Sequence, residues 1–85
     1  MTPERRVERG NHAKRILNDE LIVEAFADLE RTYSEALLDC EPQDDIGRYR
    51  LAISIKVVRQ VQDHFRTVID DGLMALAEQS RKTPA

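Results

Sequence analysis

"CEPQDDIGRYR", residues 40–50, separates two long stretches of helical pattern. Pro42 lacks an N–H and disfavours helical geometry at Glu41 before it, so a helix entering this segment stops here. Asp44 or Asp45 restarts one, because a carboxylate accepts from the free N–H groups of a new first turn and suits its positive end. About four residues are left for the connection, the length that joins antiparallel helical neighbours.

The flanks repeat in sevens. Ile22, Phe26, Leu29, Tyr33, Ala36 and Cys40 alternate spacings of four and three before the break. Leu51, Ile55, Val58, Gln62, Phe65, Ile69, Gly72 and Leu76 do the same after it. Such spacing lays each set along one stripe of a helix. Two stripes joined by a tight turn predict an antiparallel helical hairpin, with Phe26, Leu29, Val58 and Phe65 buried between helices 20–40 and 45–69. Cys40 beside the turn reads as a small core residue rather than a nucleophile, since no neighbouring base marks it. Gly72 permits either a close backbone approach or a bend with a second short helix after it.

Eighty-five residues make one domain at most, and a core this small is marginal without a disulfide, a metal or a second chain. Hydrophobic residues are 41% and charged residues 34% of the chain, which suits an exposed helical protein. No apolar run approaches the roughly 20 residues of a membrane span, and the N-terminus carries no apolar signal core. A lone cysteine forms no intramolecular disulfide. The expectation is an all-α, soluble, cytoplasmic protein.

Residues 1–17 differ from the rest. Arg5, Arg6, Arg9, Lys14 and Arg15 against Glu4 and Glu8 give +3, whereas residues 18–85 balance to −6. Thr2 and Pro3 predict the start of a short helix. The heptad register carried back from Ile22 meets Asp19, Arg15, His12, Glu8 and Arg5, all polar, so the seam ends near residues 18–19. Asn18 or Asp19 then caps the next helix. The chain thus divides into a basic N-terminal segment, 1–17, used for contact rather than core, and a hairpin, 18–85, turning near 41–45. The five cations are a candidate surface for nucleic acid or a partner. Alternatively they pair with acids such as Asp70, Asp71 and Glu78.

Helix 45–80 spans roughly 54 Å against roughly 31 Å for helix 20–40. The longer helix would project, leaving Ile69, Leu73 and Leu76 for another copy or, less favoured, for Val7, Ile16 and Leu17 folding back. A homo-oligomer is expected, with those three residues at its interface.

The chemistry of catalysis is missing. No phosphate loop, zinc spacing, nucleophile elbow or metal-binding helix motif is present. Glu20, Glu24 and Asp28 form an acidic row of the kind usually solvated. The expectation is a non-enzyme with no cofactor, no metal and no catalytic residues.

The pattern "RG..A..ILND.L..EAF..LE..Y" over 9–33, "GR..L" over 47–51 and the glycine before a last apolar turn at 72–76 resemble small helical proteins of tailed bacteriophages. The resemblance covers about 70 residues and implies a phage protein acting in the bacterial cytoplasm or the virion, in particle assembly. The leading expectation is an interaction and oligomerisation protein binding another protein. A small nucleic-acid-binding protein using residues 5–15 is the alternative. A third class is an acidic inhibitor acting through Glu20, Glu24 and Asp28.

Overall fold

The computed structural model describes residues 1–82, which form three α-helices: α1 (Pro3–Asn18), α2 (Glu20–Asp39) and α3 (Asp45–Lys82). No strand occurs among the described residues. The fold is all-α.

Each helix starts and stops for a local reason. Thr2 Oγ1 accepts from the Arg5 N–H at 3.2 Å, and Pro3 occupies the first turn, where its missing N–H has no helical partner to lose. Asp19, not Asn18, makes the next cap. Its carboxylate accepts from the N–H groups of Leu21 at 3.0 Å and Ile22 at 3.2 Å. Its own N–H donates to the Ile16 carbonyl at 3.1 Å, so one extended residue closes α1 and opens α2. At the second break Asp44 accepts from the Gly47 N–H at 2.9 Å. Arg48 ties this turn together, donating to the carbonyls of Glu41 (2.8 Å) and Pro42 (2.7 Å) and pairing with Asp45. Cys40 caps the end of α2 and is half-buried, with its thiol free.

Helix α3 runs unbroken through Gly72, so the bend and second short helix are not adopted. The reason for the glycine lies in α1. A Cβ on Gly72 would stand 2.9 Å from Gly10 Cα and 3.1 Å from the Arg6 carbonyl oxygen. A Cβ on Gly10 would meet Gly72 Cα at 3.0 Å and the Val68 carbonyl oxygen at 3.3 Å. Two backbones touch here, and each glycine makes room for the other. Around this crossing Ala13 and Ala75 are buried, Ala75 completely. Arg6 meets Asp71 and Glu78 while Gly10 meets Gly72 and Val68, so α1 runs antiparallel to α3.

This arrangement corrects two expectations. The C-terminal half of α3 does not project bare, because α1 lies along it more extensively than α2 lies along the remainder. Residues 1–17 also contribute to the core, through Gly10 and Ala13. The polar heptad register carried back from Ile22 missed this because Asp19 breaks the helix, and α1 starts a new register of small residues.

A third correction concerns the seam. Of the four residues expected between the helices, Val58 is buried, Phe26 and Phe65 are half-buried, and Leu29 is 41% exposed. Two helices enclose a seam on two sides only; bundles close it with a third and fourth. Among the described residues no large side chain is fully buried. The molecule measures 64 × 24 × 19 Å with a radius of gyration of 18.4 Å. A compact chain of this length would have a radius of about 12 Å.

Candidate interaction surfaces

The five N-terminal cations separate into three environments. Arg6 turns inward to α3 and is the least exposed of the ion-paired side chains, at 21%. Its Nε and Nη2 donate to the Asp71 carboxylate at 3.1 and 2.8 Å, and its Nη1 donates to Glu78 Oε2 at 3.2 Å. The two-point geometry matches a planar guanidinium to a carboxylate and fixes the rotation of α1 on α3. The expected pairing of cations with Asp71 and Glu78 is therefore present for Arg6, which leaves the contact surface.

The hydrogen bonds from Arg6 hold the Asp71 carboxyl below its ordinary value of 3.8, against the opposing effect of partial burial; the nearby charges of Arg6 and Arg9 add to the lowering. The same contacts push the Arg6 guanidinium further above its ordinary value, so it stays charged. For a depressed carboxylate the sign is fixed: its contribution to stability is present above the unfolded value and disappears as pH falls through the lower folded value. Asp71→Asn should therefore lower the thermal midpoint at neutral pH. The difference from wild type should narrow when both are unfolded at a pH below the ordinary carboxyl value of 3.8. An equal gap at both pH values would contradict the ion pair.

Arg5, Arg9 and Arg15 remain exposed and line one shallow surface with Glu8 and His12. Lys14 borders Arg15 in a second shallow depression and reaches the rim of an apolar groove between α1 and α3. That groove has a volume of about 290 Å³. Val7, Leu17, Ile69, Leu73 and Leu76 line it, with Gly10 and Gly72 among its walls. The candidate interface residues Ile69, Leu73 and Leu76 thus come together in one concavity, where Leu73 is 60% and Leu76 48% exposed. The glycine crossing brings the two helices close at one point, and the apolar side chains beside it leave a concavity open.

Two charged faces were hidden by averaging residues 18–85 into one acidic body. Residues 18–45 hold ten acids against Arg31 alone, while residues 46–62 hold Arg48, Arg50, Lys56 and Arg59 and no acid. Counting charge over 18–45 and 46–62 separately would have found them. Between α2 and α3 the structure shows the ion pair Arg59–Glu30 at 3.1 Å. Glu20 and Glu24 are exposed on α2, and Asp28 pairs with Arg31.

Among the described residues no group of three His, Cys, Asp or Glu side chains is placed to hold a metal ion, and no helix is long and apolar enough to cross a membrane. His12 and His64 line the same small depression with Arg9. No known family, curated protein or solved structure matches the chain.

Proposed function

We propose that this protein is a non-enzymatic helical interaction module that completes its fold by self-association. In this reading α2 and the N-terminal half of α3 form an antiparallel hairpin, and α1 extends the second row. The Arg59–Glu30 pair and the half-buried Phe26 and Phe65 support that arrangement. The single observation carrying the reading is the chain's failure to bury large apolar side chains by itself. Leu21, Leu38, Ile46, Tyr49, Leu73 and Met74 are each at least 60% exposed. Exposed apolar surface on this scale marks partner contacts.

The groove holding Ile69, Leu73 and Leu76 is the first contact in this proposal, seating an apolar helix edge of another copy. Replacing Leu73 and Leu76 with Glu should give a smaller species in sedimentation while circular dichroism retains the helices. An assembly of unchanged size would remove the groove from the interface. Within the proposal, the resemblance to small phage proteins supports a role in particle assembly inside a bacterial host, with a second protein as partner.

Nucleic acid is the second reading, favoured by one observation: Arg5, Arg9 and Arg15 share an exposed face. The loss of Arg6 to an internal ion pair and a net charge of −3 weigh against it.

A further inference from the structure

Five exposed apolar residues follow one another along α3 at Ile46, Tyr49, Ile53, Val57 and Val61, spaced 3, 4, 4 and 4. That spacing keeps them on one stripe. It lies apart from the groove, in the half of α3 that α1 does not cover. Arg50 and Lys56 are exposed and border it, three residues either side of Ile53, and among the described residues neither has an ion-pair partner. The face is apolar and basic, with no acid in residues 46–62.

Two copies of this stripe do not suit each other. Set parallel, they bring Arg50 onto Arg50; set antiparallel about Ile53, they bring Arg50 onto Lys56. Like charges meet either way, and like-charge contacts are strongly unfavourable across an interface. The complementary surface is on α2. Glu20, Glu24, Glu35 and Asp39 are exposed and, among the described residues, make no ion pair. Glu24 and Glu35 stand three turns apart and so share a face, and Leu21 (74% exposed) and Leu38 (84%) add apolar surface at the two ends of the helix.

We propose that the basic apolar stripe of α3 in one copy seats the acidic outer face of α2 in the next, a head-to-tail contact. Such a contact uses two different surfaces on every copy, and it extends into a ring or filament instead of stopping at a dimer. The area available agrees. The chain exposes 6675 Å², where surface scaling gives about 5,200 Å² for a compact monomer of its mass. The excess of roughly 1,500 Å² belongs to the whole elongated chain, the groove included, and is on the scale of the about 800 Å² that each partner contributes to a stable interface.

The inference rests on self-association, and a charge exchange separates the two. Arg50→Glu/Lys56→Glu makes the α3 face acidic, and Glu24→Lys/Glu35→Lys makes the α2 face basic. Each variant alone should associate at least about tenfold more weakly than wild type in low-salt sedimentation. Mixed in equal amounts they should regain the wild-type size, because the acidic α3 of one now meets the basic α2 of the other. Assembly of the Glu24→Lys/Glu35→Lys variant as wild type would show that α2 is not the occupant, and a mixture that stays small would overturn the pairing. Either result leaves self-association standing, whereas a monomeric wild type removes both. Where a charge-reversed chain loses helicity, Arg50→Gln/Lys56→Gln replaces it. This chain should associate with less dependence on salt than wild type, and unchanged salt dependence would overturn the inference.

Discussion

Deleting residues 1–17 is expected to lower the thermal midpoint by more than about 10 °C and to remove more helix than the deleted residues contain. The half-burial of Val7, Ile16 and Leu17 alone contributes on the order of 2–4 kcal/mol. For a chain of this length each kcal/mol moves the midpoint by about 4–8 °C, and the whole fold is stabilised by only about 4–13 kcal/mol. Without α1, Ala75 and Gly72 lose their cover and Asp71 and Glu78 lose the Arg6 guanidinium. The last turns of α3 then have little packing to hold them, and isolated helix of that length is marginal in water. Circular dichroism at matched protein concentration measures both effects. An unchanged midpoint would mean that α1 is an appendage after all.

Gly72→Ala should also destabilise, by about 1–3 kcal/mol through overpacking at the crossing. The direction is the informative part. In an exposed helix interior the same change stabilises by about 1 kcal/mol, since alanine is the better helix former. Here the added methyl meets two backbone atoms of α1, which cannot rotate away as a side chain would. Gly72→Leu should go further and detach α1, with loss of the Arg6–Asp71 pair. A rise in midpoint on Gly72→Ala would show that the two backbones are not in contact.

The legible parts of this fold are those written in single residues. Pro42 and Asp44 mark the second break, Thr2 and Pro3 the start of α1, and Asp19 the boundary between α1 and α2. Each acts through its own side chain on neighbouring backbone, so sequence alone locates both breaks to within one residue, and the hydrogen bonds then choose Asp19 over Asn18 and Asp44 over Asp45. The packing of α1 was not legible by the same route. A hydrophobic register finds large apolar residues, and the α1–α3 contact is made by Gly10, Ala13, Gly72 and Ala75, whose value is their small size. Gly10 read alone is a weak point in a helix; only Gly72 opposite gives it a purpose. The seam was overestimated for a related reason. Spacing shows which side chains share a face but not how many helices surround it, and Leu29 stays exposed despite a suitable position. Of the candidate surfaces, Ile69, Leu73 and Leu76 were legible as leftover apolar positions. Arg6 looked like its neighbours until the fold set it against Asp71.

The account as a whole turns on whether a single chain is the stable unit. Sedimentation of the wild type over about 1–100 µM, the affinity range of ordinary self-association, tests this most directly. The wild type should show a mass above the 9.8 kDa of one chain, rising with concentration. A species of 9.8 kDa throughout, fully helical, would contradict it.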